Sequence, residues 1–307
     1  MQHITSIKQF LDKDLLNKLI KRATEFQAMP ANQYPKPLEH MTLATLFYEP
    51  STRTRLSFET AIQNLGAHII STENAGQFSS AIKGETLEDT IKIVGNYAQG
   101  IVIRHPEDDS AERASAVSEV PIINAGSGAN EHPTQALLDL YTIVRRHNMI
   151  DGIEIALVGD LTYGRTVHSL IYLLGMYKVA KVYLASPDSL RMPEEYLKVL
   201  DGGKIPYEVL STYEDVLSKL DVVYMTRVQK ERFPSIEAYD AVKNSFVFTL
   251  QDARKMKEGA SILHPLPRVN EISPDVDSDS RAQYFQQAKN GLFMRMALLE
   301  WIYTASK

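Results

Sequence analysis

Short apolar runs alternate with amphipathic segments along the whole chain, and this pattern predicts the order of its elements. An amphipathic helix with Asp12 as its predicted cap comes first. The apolar runs predicted as strands are residues 43–48, 68–72, 101–104, 121–124, 153–158, 180–185, 206–210, 221–225 and 260–263. Because strands that alternate with helices form parallel sheets with helices on both faces, we expect an α/β protein. The order favours two similar-sized α/β domains, each a mainly parallel sheet flanked by helices.

The boundary between the predicted domains lies in the glycine-rich stretch INAGSGANEHPTQ, just ahead of an amphipathic helix. We place the crossing at residues 131–133, which gives a first domain of residues 1–132 and a second of residues 133–285. The final helix, residues 286–307, is apolar along one side and could pack on either domain.

Composition narrows the classes of function. The 307 residues are 44% hydrophobic, and 33 Lys and Arg against 38 Asp and Glu give a formal charge of −5. A general nucleic-acid or anionic-membrane surface is therefore disfavoured, and any anion site must be a local concentration of cations. With no cysteine and scattered histidines, we expect no metal and no cofactor. Since no stretch has the pattern of a spanning helix or a signal peptide, we predict a cytoplasmic protein with no membrane and no nucleic-acid partner.

The stretch STRTR, Ser51 to Arg55, falls at a predicted turn from a strand into a helix. Free backbone N–H groups and the helix dipole meet hydroxyl groups and an arginine there, which is typical of a phosphate site. The simpler alternative is that Ser51 or Thr52 only caps the helix and the arginines are solvated. The density of donors favours an anion site, although the stretch is not a P-loop.

A second strand-to-helix turn, GDLTYGR, invites a dinucleotide interpretation. However, Leu161 stands between Gly159 and Gly164, where the dinucleotide fingerprint has its middle glycine, and a side chain there would block a pyrophosphate. The turn instead presents Arg165 at a helix start, where a substrate carboxylate could bind.

Four further stretches place polar side chains at strand ends or in loops, where α/β folds bind their ligands. They contribute Lys83; Arg104 and His105; His132 and Gln135; and Arg227, Gln229 and Arg232. Any one of these could be an ordinary surface or backbone-bonded side chain, but together they outnumber what chance placement at strand ends would give.

These motifs resemble the catalytic chains of the aspartate carbamoyltransferase family. The resemblance runs the length of the chain through STRTRLSFE, KGETLEDT, EHPTQALLDLYTI, GDLTYGRTVHSL, TRVQKERF, HPLPRVNEI and YFQQAKNG. The STRTR and HPTQ elements are shared by carbamoyltransferases in general. HPLPR with TRVQ resembles the aspartate enzymes, because the ornithine enzymes typically have a cysteine in the first of these places.

The resemblance implies one domain for carbamoyl phosphate and one for aspartate, with the C-terminal helix returning to the first. It implies a homotrimer with shared active sites, and it leaves a separate regulatory chain open as a partner. The residues implied for carbamoyl phosphate are Ser51, Thr52, Arg53, Thr54, Ser79, Lys83, Arg104, His132 and Gln135, of which Thr54, Lys83, Arg104 and His132 are the implied catalytic groups. Those implied for aspartate are Lys83, Arg165, Arg227, Gln229 and the backbone carbonyl of Leu266.

Two points stay open within the resemblance. Lys83 and a serine come from the neighbouring subunit in the family, and Ser80 is close enough to Ser79 to be an alternative. Glu49 is a candidate to pair with Arg165 and Arg232 when the domains close.

Two other functions compete. A carbamoyltransferase for ornithine would want a carboxylate-lined pocket for a cationic side chain, whereas Arg165, Arg227 and Gln229 favour an anionic acceptor. A non-catalytic subunit that only binds carbamoyl phosphate would not need Thr54, Arg104 and His132 as oxyanion donors.

Overall fold

The computed structural model describes residues 2–78, 80–230, 233 and 235–304. Its chain forms two compact units, Met1–Leu138 with Lys289–Lys307 and Asp139–Ala288. The α-helices, numbered in chain order, are α1 Lys13–Ala28, α2 Thr52–Asn64, α3 Ala75–Phe78, α4 Leu87–Gly95, α5 Ser110–Val117, α6 Pro133–His147, α7 Arg165–Leu174, α8 Glu194–Gly202, α9 Ile236–Asp240, α10 Leu250–Lys255 and α11 Tyr284–Thr304. Short 3₁₀ turns are Ile7–Phe10, Ala31–Gln33, Ser80–Lys83, Asp188–Leu190, Glu214–Lys219 and Pro274–Ser278.

The first unit contains a four-stranded parallel sheet in the order β2-β1-β3-β4. Its strands are β1 Thr42–Phe47, β2 His68–Glu73, β3 Ile101–His105 and β4 Ile122–Ser127. The inner strands β1 and β3 are buried almost throughout, as expected for a parallel sheet covered on both faces. Asp12 caps α1 as predicted, because its carboxylate accepts hydrogen bonds from the backbone N–H groups of Asp14 and Leu15.

The second unit contains a five-stranded parallel sheet in the order β7-β6-β5-β8-β9. Its strands are β5 Glu154–Val158, β6 Lys181–Ala185, β7 Tyr207–Leu210, β8 Val222–Met225 and β9 Ser261–Leu263. Apolar side chains from its inner strands pack with Tyr213, Phe248 and Tyr284 in one buried cluster. The predicted fold class is confirmed, and each predicted strand has a counterpart within a few residues of its expected bounds.

The division between the units falls inside helices. Residues 138 and 139 lie in the middle of α6, and residues 288 and 289 lie in the first part of α11. The sequence analysis placed the crossing at residues 131–133, in the loop before α6. A single helix has one continuous periodicity, so the pattern contains no signal for a division part-way along it.

Each sheet has one switch point, where the connections that leave two neighbouring strands run towards opposite edges of the sheet. In the first unit it lies between β1 and β3, and in the second between β5 and β8. Ligands of open α/β sheets bind outside the carboxyl ends of the strands at such points. The two switch points are therefore the places to look for function.

Within the described ranges, no helix is both long and apolar enough to cross a membrane.

Candidate active site

At the first switch point, β1 leads through a short turn into α2, whose first residue is Thr52. Ser51 is the N-cap residue, and within the described part of the chain its hydroxyl makes no capping hydrogen bond to the helix. The capping alternative is thus wrong for Ser51. Thr52 and Arg53 are exposed while Thr54 is buried, so hydroxyl and guanidinium donors lie beside the first backbone N–H groups of the helix, which have no partner within the helix.

The second arginine of the turn has a structural role. The guanidinium group of Arg55 donates to Glu73 on β2 at 2.8 Å and lies 3.5 Å from Glu59 on its own helix. Glu59 also accepts hydrogen bonds from Thr45 and Ser71, at 3.0 and 2.6 Å. These contacts tie α2 to β1 and β2, which leaves Arg53 as the exposed arginine of the turn.

Arg104 lies near the carboxyl end of β3, the other strand of the switch point. Its Nε lies 3.4 Å from a carboxylate oxygen of Glu49, in the turn after β1. The predicted partners of Glu49 were Arg165 and Arg232, and Arg232 lies outside the described residues. The contact with Arg104 is thus an additional role for Glu49, and it links the ends of β1 and β3.

His105, next to Arg104, is held by its surroundings. Its ring packs edge-on against Tyr48, with the ring centres 4.6 Å apart, and its Nδ1 accepts a hydrogen bond from the Glu107 N–H. Burial lowers the pKa of the His105 imidazole. His105 is therefore a neutral core side chain at neutral pH.

His132 and Gln135 stand at the start of α6, beyond β4. Both side chains are buried, and the His132 carbonyl accepts the N–H groups of Gln135 and Ala136. The loop before them is anchored by Glu131, a residue that the sequence analysis missed. Its buried carboxylate accepts hydrogen bonds from the Ser6 hydroxyl at 2.7 Å and the Ile7 N–H at 2.6 Å. These contacts attach the loop that carries His132 to the N-terminal segment.

Lys83 ends the short turn Ser80–Lys83 and is exposed. Ser79 lies outside the described residues, and the side chain of Ser80 is not described either. The choice between these two serines therefore stays as the sequence analysis left it.

At the second switch point, Arg165 is the first residue of α7 and is buried. The turn from β5 needs Gly159, which has φ 114° and whose added Cβ would lie 2.5 Å from the Thr226 carbonyl oxygen. The glycine thus lets the ends of β5 and β8 approach closely. It serves this backbone contact.

Arg227 and Gln229 follow β8 and are half-buried. The Gln229 side chain donates to the carbonyl of Tyr163, in the turn that carries Arg165, at 2.8 Å. The structure therefore brings Arg165, Arg227 and Gln229 to one edge of the sheet.

Asp160, another residue missed by sequence analysis, holds this edge together. It is buried, and its carboxylate accepts the Tyr163 N–H at 2.9 Å. Burial raises the pKa of Asp160, while hydrogen bonds from backbone N–H groups and the charge of Arg227 act in the opposite direction. A carboxylate directly after a glycine at a strand end was the signal that could have found it.

Leu266 follows β9, the neighbour of β8 in the sheet, and has φ 55°. A residue with a bulky side chain rarely takes this conformation, so the surrounding structure must enforce the backbone conformation of Leu266. Among the described residues there is no group of three or more His, Asp or Glu side chains that could hold a metal ion.

Comparison with known proteins gives the family of the chain. The carbamoyl-P binding domain of aspartate/ornithine carbamoyltransferase matches residues 2–145, and the Asp/Orn binding domain of the same family matches residues 151–302. The chain is 48% identical to the chloroplastic aspartate carbamoyltransferase of Oryza sativa, over 95% of this chain and 82% of the rice protein. It is 44% identical to the aspartate carbamoyltransferase catalytic subunit of Vibrio cholerae, over 99% of this chain and 97% of that protein.

A solved structure shows the same fold. The aspartate transcarbamoylase of Trypanosoma cruzi in complex with carbamoyl phosphate and aspartate superimposes with a TM-score of 0.92 at 40% identity, covering 97% of this chain and 96% of that one. These matches cover both units and both switch points. The chain belongs to the aspartate/ornithine carbamoyltransferase family.

Proposed function

We propose that this chain transfers the carbamoyl group of carbamoyl phosphate to the amine of L-aspartate. The products are N-carbamoyl-L-aspartate and phosphate, and the reaction is an early step of pyrimidine biosynthesis. The observation that carries this function is the grouping of Arg165, Arg227 and Gln229 at the second switch point, because this set suits an acceptor with carboxylate groups. The relatives named above are aspartate enzymes, which agrees with that choice.

Charge explains why the cations are concentrated at these two places. Dianionic phosphate and two aspartate carboxylates together carry about four negative charges, which a chain of net charge −5 would repel. Arg53 and Arg104 at the first switch point, and Arg165 and Arg227 at the second, provide local positive charge. Lys83 adds a fifth cation.

In the first unit, the start of α2 binds the phosphate group through Ser51, Thr52, Arg53 and Thr54. Thr54, Arg104 and His132 donate to the carbonyl oxygen of the carbamoyl group and stabilise the oxyanion that forms when the amine attacks. Gln135 contacts the carbamoyl amide. The support for this assignment is that β1, β3 and β4 are adjacent in the sheet and lead into these residues.

In the second unit, Arg165, Arg227 and Gln229 bind the carboxylates of aspartate, and the Leu266 carbonyl accepts a hydrogen bond from its amine. Carbamoyl phosphate is already an activated donor, so the chain's main task is to position the two substrates and stabilise charge. Positioning alone can lower a barrier by roughly 7 to 11 kcal/mol. The pairing of Glu49 with Arg165 and Arg232 on domain closure stays a prediction.

The amine must lose a proton to become the product nitrogen. We assign the final proton to the leaving phosphate, because His132 is better used as a donor to the carbonyl oxygen. His132→Gln keeps a donor but removes the base. Retention of most of the kcat by this variant would exclude an essential base role, whereas an imidazole requirement across the pH profile would contradict our assignment.

The assembly we propose is a homotrimer in which Lys83, with Ser79 or Ser80, serves the active site of a neighbouring copy. Lys83 is exposed in a single chain. The edge strand β2, just before it, leaves Ile70 40% exposed, and the facing helix α2 leaves Leu56 48% exposed. Exposed apolar side chains of this kind favour contact with another chain.

The cellular location and a regulatory chain are two further points. The relatives include chloroplastic plant enzymes and a bacterial catalytic subunit, so the cytoplasmic location stays a prediction. A separate regulatory chain is left open.

A steady-state assay of the purified chain tests the function. Carbamoyl phosphate is supplied with either L-aspartate or L-ornithine, and the carbamoylated product is measured. We expect turnover with aspartate alone. Turnover with ornithine would support the rival acceptor, and binding of carbamoyl phosphate without turnover would support the non-catalytic subunit.

A further inference from the structure

The loop after β9 is closed on itself by two buried side chains that the proposed chemistry does not use. His264 begins this loop and Glu271 ends it, and both are buried. The imidazole Nε2 of His264 lies 2.7 Å from a carboxylate oxygen of Glu271. Between them lies Leu266, with its left-handed φ of 55°.

The hydrogen bonds of His264 define which of its nitrogens carries the proton. Its Nδ1 accepts a hydrogen bond from the Leu266 N–H at 2.7 Å. A nitrogen that accepts must have a free lone pair, so the proton is on Nε2 and is donated to Glu271. The imidazole is therefore neutral, in one tautomer, and that tautomer is the one that holds the Leu266 backbone.

The carboxylate of Glu271 secures the far end of the loop. Its second oxygen accepts the N–H groups of Val269 at 3.0 Å and Asn270 at 3.1 Å. Burial by itself raises the pKa of Glu271, but the hydrogen bonds from His264 and from these N–H groups bring its pKa below the ordinary value. The carboxylate is thus charged and has donors on both oxygens.

His264 is also held from the protein interior. Its backbone N–H donates to the Gln287 side chain at 2.9 Å, and Gln287 in turn donates to the buried carboxylate of Asp139 at 2.6 Å. Gln287 is on α11 and Asp139 is on α6. The backbone of His264 is therefore fixed from the interior, while its Nδ1 accepts the Leu266 N–H.

We infer that His264 and Glu271 are positioning residues for the acceptor amine, acting through the Leu266 carbonyl. This rests on the proposed function, which gives that carbonyl the substrate amine as its partner. The next residue, Pro267, has no N–H, and the Leu266 N–H is already bonded to His264, which leaves the Leu266 carbonyl as the backbone group of these two residues that we assign to the amine. A carbonyl held in one direction orients the amine's N–H group, and hence its attacking lone pair, without accepting the proton itself.

Glu271→Gln tests the inference with almost no change in volume. Its amide nitrogen must face either the His264 Nε2–H or the two backbone N–H groups, so a donor meets a donor. If His264 then moves its proton to Nδ1, that N–H faces the Leu266 N–H. We expect the KM for aspartate to rise about 10- to 100-fold, with the affinity for carbamoyl phosphate unchanged. Glu195→Gln, an exposed glutamate of the same unit, is the control and should match wild type.

Two variants of His264 test the positioning role independently of Glu271→Gln. His264→Asn keeps an oxygen near the place of Nδ1 and can still accept the Leu266 N–H, whereas His264→Phe keeps the ring but not the acceptor. We expect His264→Asn to retain a lower KM for aspartate than His264→Phe, and this pair decides the matter if Glu271→Gln does not fold.

The outcomes separate the inference from the function it rests on. Failure of the wild-type chain to carbamoylate aspartate would overturn the proposed function. An active wild type with a folded Glu271→Gln whose KM for aspartate is within about twofold of it would overturn only the positioning role. Equal losses of affinity for both substrates would also contradict it, because general structural damage would then explain the change.

Discussion

The two switch points, which we propose as anion sites, are built by different means. The first relies on the start of α2, where the N–H groups and the dipole come with the helix itself, and Thr52 and Arg53 are exposed there. The second combines the start of α7, which carries Arg165, with irregular loops whose shape depends on buried polar contacts of Asp160, His264 and Glu271. A helix start is a preformed phosphate site, whereas a site built on loops requires side chains to fix the backbone.

This difference predicts how the two regions respond to substitution. At the first switch point, exposed or half-buried side chains can be removed with loss of catalysis and little loss of stability. At the second, the residues that shape the loops contribute to folding as well, so their loss affects both.

Removal of Arg104 should produce the largest effect on catalysis. Arg104→Ala takes away one proposed oxyanion donor, which typically costs about 2.7 to 4 kcal/mol of barrier, or about 10²- to 10³-fold in kcat. Steady-state kinetics together with a urea titration would check it, and we expect the free energy of unfolding to change little. Arg113→Ala, which removes a surface arginine paired with Glu88, is the matched control. Equal losses of activity in the two variants would remove Arg104 from the proposed mechanism.

Gly159→Ala should show the opposite behaviour at the second switch point. The added Cβ would lie 2.5 Å from the Thr226 carbonyl oxygen at a φ of 114°, so we expect a loss of about 3 kcal/mol in the free energy of unfolding. Gly152→Ala isolates the backbone strain, because φ there is 81° and an added Cβ meets nothing within 4 Å among the described residues. That control should lose only about 1 kcal/mol. Similar urea midpoints for both variants would show that the close approach of β5 and β8 is not needed.

Mixing inactive chains tests whether Lys83 serves a neighbouring site. Chains with Lys83→Ala and chains with Arg53→Ala should each be inactive, and refolding them together in equal amounts should restore about a quarter of wild-type activity. A mixture of Arg53→Ala with Arg104→Ala is the control, since both residues would come from the same copy. No recovery in the first mixture would rule out the shared site.

The smallest expected effect is on the pH dependence of stability. Burial lowers the pKa of His105 in the folded chain, so the unfolded chain binds a proton more readily. The free energy of unfolding should therefore fall as the pH is lowered through the ordinary histidine value of 6.5. His105→Gln should show a shallower fall in urea titrations between neutral and mildly acidic pH, and an unchanged slope would mean that His105 takes up a proton equally readily in the folded and unfolded chains.

The sequence predicted the elements well but not the contacts that shape the loops. Strands such as β5 and β8 are apolar runs bounded by Gly or Asp, which is a local signal. The Glu131 carboxylate accepts a hydrogen bond from the Ser6 hydroxyl, and the Gln287 side chain donates one to Asp139. In both pairs the two residues are more than a hundred positions apart. No local pattern encodes such pairs, so they were missed although they lie beside the motifs.

The sequence by itself therefore determined the order of strands and helices, the α/β class and the polar motifs at strand ends, because periodicity and residue type act over a few neighbouring positions. Only the tertiary structure decided which strands became neighbours, and so which motifs share a switch point. It also decided that Arg55 braces α2 while Arg53 stays exposed, and that one histidine tautomer holds Leu266. These outcomes depend on which groups meet after folding, because most buried polar groups take a hydrogen-bond partner.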